Sequence, residues 1–252
     1  MESGVKKSGD NNVLYLYGIS QSAHEPKHTP VGVDAGSAPE QIPCAGMVCW
    51  ISRVSKGDFA DNLAKNIENL EWLAEMTPRH QSVLAAIAEV NDVLPARFGT
   101  VFLNEASLAA DIGDRKPVLL SDLKRIQGNE EWGVKVFAVR PELAEIPEVK
   151  SGKSYLQAKS AMLRTRVPDN NDGEIARFAS ELEKLSVATA EGGKISGGRR
   201  DLRYQASLLL KRGEGKKLQS ILKRFENEWK NSRHIECSGP WPPYSFVTRD
   251  FE

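Results

Sequence analysis

The sequence predicts an α+β fold in two domains. A ferredoxin-like four-stranded sheet with helices occupies residues 1–140, and a helix-rich α/β domain of modified ferredoxin-like type occupies 141–252. Three observations lead there. A chain of 252 residues is long for one compact domain and fits two of ordinary size. Hydrophobic periods of two and of 3.6 residues follow one another in the order β-β-α-β-α-β, the split βαβ plan in which helices cover one face of a sheet. Pro141–Lys150 is a Pro- and charge-rich connection, and the pattern changes beyond it. With 40% hydrophobic and 27% charged residues and five Trp, the chain can bury a core, which excludes a wholly disordered protein.

Val13–Ile19 is rich in β-formers at both parities, as in a central strand buried on both faces. Residues 20–43 contain Pro26, Pro30, Pro39 and Pro43 among Gly, Ser and Ala and show no period, so a mobile loop is expected. Ala45–Val54 reads as the second strand. Asp58 then caps a helix through Phe59, Leu63, Ile67, Leu70 and Ala74, and Thr77-Pro78 restarts it as a second helix through Val90. Val93–Leu103 alternates as a strand with an internal Pro and Gly. Helices near Glu105–Ile112 and Val118–Ile126 lead to a strand over Glu131–Val139, the fourth of the first sheet. In the second domain, Ser154–Arg166 and Gly173–Ala190 read as helices, Leu202–Leu210 as a strand, and Leu218–Trp229 as an amphipathic helix. His234–Cys237 and Tyr244–Val247 read as short strands. The Pro- and Trp-rich tail between and after them is expected to dock, because Trp and Tyr are rarely left wholly to solvent.

Charge narrows the function. The 34 basic and 34 acidic residues cancel, so the molecule as a whole offers no field for nucleic acid or anionic lipid. Locally, residues 194–233 hold 12 basic against 4 acidic side chains. Here Arg199, Arg200, Arg203, Lys211, Arg212, Lys216 and Lys217, with Tyr204 as a stacking residue, are the candidates for a nucleic-acid- or nucleotide-binding module over 194–217. The glycine-rich Gly192–Arg200 loop lacks the order of a P-loop and precedes a strand where a phosphate cradle needs a helix. No apolar run is long enough to span a bilayer, and Met1–Asp10 leads into no apolar signal segment, so a cytoplasmic protein is expected.

Catalytic and metal chemistry find little support. Cys44, Cys49 and Cys237 are too sparse for a disulfide scaffold. The set His24, His28, Cys44 and Cys49 has zinc-ligand chemistry, but on a strand the two cysteines would point to opposite faces. His80 stands near a helix start without a G-x-S-x-G or H-E-x-x-H partner motif, and reads as a surface or satisfied histidine. Arg97 interrupts an apolar strand and is read as a buried cation paired with a helix carboxylate. The expectation is therefore a protein that is not an enzyme and holds no cofactor or metal.

Leu94-Pro95-Ala96-Arg97-Phe98-Gly99-Thr100-Val101-Phe102 resembles the L-P-x-R-F-G-T-x-F segment of the gas vesicle GvpL/GvpF family. Leu14–Ile19, Glu131–Val136 and Gly239–Val247 match further segments in the same order, so the resemblance runs from about Val13 to Val247. It departs at Ala96, where a bulkier residue is usual, and in the longer 20–43 loop. The resemblance implies a cytoplasmic, gas-vesicle-associated accessory protein, either a minor shell component or an assembly factor. Such a protein binds the major shell protein GvpA, alongside other gas vesicle accessory proteins, and limits its aggregation. On that reading Arg97, Phe98, Trp132, Arg199, Arg200, Arg203, Trp241 and Tyr244 are the candidate partner-binding residues, and neither nucleic acid nor membrane is a partner.

Overall fold

A computed structural model describes residues 11–139, 172–191, 201–230 and 232–248. It is a mixed α/β structure with two antiparallel sheets and flanking helices. The chain divides into two compact units, Met1–Glu131 with Pro240–Glu252, and Trp132–Gly239. This differs from a division at 140. The expected boundary at 141–150 lies outside the described residues, and the Pro- and Trp-rich tail belongs with the first unit and not with the second.

In the first unit β1 (Asn12–Ser20), β2 (Glu40–Cys44), β3 (Met47–Ser55) and β4 (Val93–Pro95) lie in the order β2-β3-β1-β4. The two-residue β5 (Val101–Phe102) also pairs with β1. This is the strand order of the split βαβ plan, with a loop in place of the first crossover helix. β1 is buried along its length from Val13, as its apolar residues at both parities require. Val13, Tyr15 and Tyr17 share a core with Val83, Leu84 and Ile87 of α2 (Leu70–Ala88). At the other parity Leu14 and Leu16 are buried too, as are Leu108 and Ile112 of α3 (Glu105–Asp114) and Leu119 and Leu123 of α4 (Lys116–Ile126). Helices therefore cover both faces of this sheet where one was expected.

Several local expectations change. β2 and β3 form a hairpin whose turn residues Ala45 and Gly46 both have positive φ. Because Ile42 pairs with Cys49, and Cys44 lies two residues from Ile42, the two cysteines share a face. The helix expected from Asp58 is a π-type turn at Gly57–Asp61 followed by the short α1 (Leu63–Ile67). α2 then begins on Asn69, whose side chain accepts from the amides of Glu71 and Trp72. It runs through Pro78 without a restart. Pro78 and Ala74, four residues earlier, are both exposed, so the break that the proline makes in the helix ladder falls on the solvent side.

Hydrogen bonds tie the 20–43 loop, expected to be mobile, to β1, β3 and the residues after α2. The Tyr17 hydroxyl accepts from Val33 N at 2.7 Å, Ser52 Oγ donates to Ser37 O at 2.9 Å, and Asn91 bonds both the amide and the carbonyl of His24. A Cβ on Gly32 would stand 1.8 Å from Ser37 O, so only glycine allows this packing.

The second unit contains β6 (Asn129–Ala138), α5 (Asp172–Leu185), β7 (Ala188–Glu191), β8 (Leu202–Lys211), α6 (Gly215–Trp229) and β9 (Arg233–Trp241). Its strand order β7-β8-β6-β9 is the split βαβ plan with both crossover helices present. β6 was expected as the fourth strand of the first sheet and instead pairs within the second. Val134, Val136, Leu208 and Leu210 meet Phe178 and Leu182 of α5 and Leu218, Leu222, Phe225 and Trp229 of α6. The helix expected over 173–190 ends at Leu185 and turns into β7. β9 is longer than the strand expected at 234–237, and Tyr244–Phe246 is a single 3-10 turn and not a strand. The helix expected at 154–166 lies outside the described residues.

Candidate protein-binding surface

The motif Leu94–Phe102 is not a continuous strand. β4 ends at Pro95, whose ring removes a backbone donor, and the chain turns through Ala96–Thr100 before β5 rejoins β1. Ala96 N donates to Tyr17 O at 2.8 Å, Thr100 N to Arg97 O at 3.1 Å, and Leu16 N to Thr100 O at 2.9 Å. Gly99 takes φ +82°, a conformation that side chains rarely adopt. Its amide donates to the Tyr15 hydroxyl at 3.2 Å. The turn's backbone is thus fixed from below by β1.

Above that frame the side chains separate. Phe98 folds inward to an aromatic cluster: its ring lies 5.8 Å from Trp72, 6.2 Å from Tyr15 and 5.7 Å from His80. Arg97 points to solvent and makes no ion pair with the described residues. The expected buried salt bridge is therefore absent there, because the alternation that placed Arg97 in a strand is broken by the turn. Beside the turn stand α1 and the start of α2. A Cβ on Gly99 would lie 3.6 Å from Ile67 and 3.7 Å from Leu63. Ile67 is 40% and Leu70 80% exposed. An exposed cation, two exposed aliphatic side chains and the half-buried Leu63, Trp72 and Phe98 thus make one partly apolar surface.

His80 sits beneath it, nearly inaccessible. Its Nδ1 is 2.8 Å from the Tyr15 hydroxyl and its Nε2 3.1 Å from the Tyr244 hydroxyl. Burial lowers its pKa from 6.5 to about 4, so the ring is neutral at pH 7. The same burial pushes Tyr15, Tyr17 and Tyr244 above the ordinary tyrosine value. The histidine is satisfied, as its sequence setting suggested, but in the core and not on the helix surface.

Tyr244 reaches His80 because the tail is clamped. Ser245 donates through N and Oγ to the Glu131 carboxylate at 2.8 and 2.7 Å. Thr248 donates through N and Oγ1 to Asp122 at 2.6 and 2.8 Å, and Arg125 bonds both Asp122 and the carbonyl of Phe246. Nothing in the sequence marked Asp122 and Glu131, since each is one acidic residue among 34. Their burial is the signal, and only the fold supplies it.

Trp241 is 45% exposed. Trp132 packs against the second unit's core, where a Cβ on Gly215 would meet its ring at 2.7 Å. Arg203 is exposed on β8, and Arg199 and Arg200 lie outside the described residues. Much of the neighbouring basic charge on α5 and α6 is answered by carboxylates: Arg177 pairs with Glu228, Arg224 with Glu181, and Lys217 with Glu214. Among the described residues no group of three His, Cys, Asp or Glu side chains could hold a metal ion, and no helix is long and apolar enough to cross a membrane.

Known proteins share this architecture and sequence. The family described as "Gas vesicle synthesis protein GvpL/GvpF" matches residues 13–248. "Gas vesicle protein L" of Streptomyces sp. (strain CB03234) is 27% identical over 227 residues, 84% of each chain. "Gas vesicle protein F" of Haloferax mediterranei is 25% identical over 237 residues, 93% of this chain and 92% of its own. The crystal structure of the gas vesicle protein GvpF from Anabaena sp. PCC7120 superposes with a TM-score of 0.70 at 18% identity, covering 95% of this chain and 98% of that one.

Proposed function

Because the chain belongs to the gas vesicle GvpL/GvpF family, we propose that it acts without catalysis as an accessory protein that binds the major shell protein GvpA. It serves as a minor shell component or assembly factor and limits shell-protein aggregation while vesicles form. The observation that carries this reading is the partly apolar surface at the family motif, where Ile67 is left to solvent beside the Ala96–Thr100 turn and Leu70 is exposed at the start of α2. A strongly apolar client gains about 25 cal/mol for each Å² of apolar surface it buries, and the exposed Ile67 and Leu70 with the half-buried Leu63, Trp72 and Phe98 offer such surface. Arg97 on its rim adds an electrostatic contact that tunes rate and salt sensitivity more than affinity.

The test is co-expression with the shell protein. The double substitution Ile67→Ser and Leu70→Ser removes two exposed side chains, so the fold and its melting temperature are expected to stay as they are. Co-purification of the shell protein and its retention in the soluble fraction are expected to fall at least fivefold. Binding that survives 1 M salt in the native protein supports the apolar surface. Undiminished co-purification by the double variant overturns this surface, and absence of any co-purification by the native protein overturns the function.

A further inference from the structure

Within the first unit Tyr244, His80, Tyr15 and Gly99 form one continuous hydrogen-bonded chain. Tyr244 of the tail bonds His80 Nε2, His80 Nδ1 bonds the Tyr15 hydroxyl, and that hydroxyl accepts the amide of Gly99 in the motif turn. We propose that His80 is a positioning residue that joins the docked tail to the motif turn, so that the binding surface is set only when the tail is seated. This rests on the docking function just described and assigns its control to the tail.

The chemistry of the ring supports the coupling. A neutral imidazole has one N–H and one acceptor nitrogen, and here both are used in buried surroundings. If Tyr244 leaves, Nε2 loses the partner that fixes the ring, and a ring free to turn loosens its bond to the Tyr15 hydroxyl and with it the hold of that hydroxyl on Gly99. Addition of a second proton makes both nitrogens donors. One tyrosine hydroxyl then loses its acceptor while the ring carries a charge in a dry site, and acid is expected to release the tail by the same route. Tyr15 and Tyr17 of β1 and Tyr244 of the tail are the titratable groups whose rings or hydroxyls face His80. Phe98 contributes an apolar edge. Asp34 and Glu131 act at one remove, on Tyr17 and Tyr244, and Arg79 precedes His80 on its own helix. Among the described residues no carboxylate bonds His80.

The experiment follows the Gly99 amide by residue-resolved hydrogen exchange in the full chain, with the amides of β3 and of β6 as controls. At pH 7, Tyr244→Phe is expected to speed exchange at Gly99 at least tenfold while the controls stay protected. In the native protein, protection at Gly99 corrected for intrinsic rates is expected to fall as the pH is lowered from 6.5 to 4. That fall is expected to be absent in His80→Gln, which does not titrate. Equal Gly99 protection in Tyr244→Phe and the native chain overturns the proposal, as does the same acid profile in His80→Gln. Should Tyr244→Phe lose the β3 controls as well, the comparison of acid profiles decides alone. Shell-protein capture is measured in parallel and is expected to fall at least tenfold in Tyr244→Phe. A native protein that shows the Gly99 coupling but captures no shell protein supports the relay and overturns the docking function.

Discussion

At the scale of single residues, His80 carries the clearest measurable consequence. Its pKa falls from 6.5 to about 4 on folding, so the unfolded chain binds more protons than the folded one between those values. Stability from this group is complete above pH 6.5 and is lost as the pH falls toward 4. The shift corresponds to about 3 kcal/mol. Urea denaturation at pH 7 and pH 4 is expected to show a larger acid loss in the native protein than in His80→Gln by that order. Arg97 makes the opposite case. Its side chain is exposed and makes no ion pair with the described residues, so Arg97→Ala is expected to leave stability unchanged within about 0.5 kcal/mol while it weakens capture of the shell protein. A loss of several kcal/mol would return Arg97 to the core. From sequence, a charge within an apolar run suggests burial, which the turn reverses for Arg97, and His80 reads as a surface or satisfied histidine, of which the structure shows the second. Alternation cannot register a turn whose cause is a hydroxyl 84 residues away, that of Tyr15 holding Gly99.

At the scale of elements, the tail is held by two buried carboxylates and not by apolar packing alone. Asp122 is almost wholly buried and accepts twice from Thr248. Asp122→Asn replaces one acceptor oxygen by a donor opposite a donor, at a cost of about 1–3 kcal/mol. Limited proteolysis is expected to cut the variant first after residue 240, while the native chain resists there. Equal resistance would show that Tyr244, Ser245 and Phe246 suffice. The helices and central strands were legible because their periods are long: β1, α3, α4, β8 and α6 stand within a few residues of where their apolar spacing puts them. β2 was not, because Pro39 and Pro43 bracket it and its pairing with β3 comes from a two-residue turn that includes Ala45 at positive φ. Likewise α2 passes Pro78 because Met76, His80 and Val83 bury on either side of it, and tertiary packing outweighs the local proline penalty.

At the scale of the whole molecule, the division at Glu131 and Gly239 makes a specific claim about folding. The segment Trp132–Gly239 contains all six elements of a split βαβ unit and the core around Phe178 and Phe225. Expressed alone it is expected to fold and melt cooperatively by circular dichroism. The segment 11–131 alone lacks Tyr244, Ser245 and Thr248, the tail partners of His80, Glu131 and Asp122, and is expected to melt well below the full chain. A disordered 132–239 fragment would contradict the division.

The sequence by itself determined the α+β class, most of the helices and central strands, and, through the spaced motifs from Leu14 to Val247, the family. These rest on local periodicity and on short strings of residues, which a linear reading captures. Which sheet β6 joins, the return of the tail to the first unit and the exposure of Arg97 were decided only in three dimensions. Each depends on pairing between segments far apart in the chain: β6 with β8 and β9, Tyr244 with His80 across 164 positions, and Thr248 with Asp122 across 126. Such pairings are selected by the burial of polar groups that must find partners once water is gone, and that requirement leaves no periodic trace in the sequence.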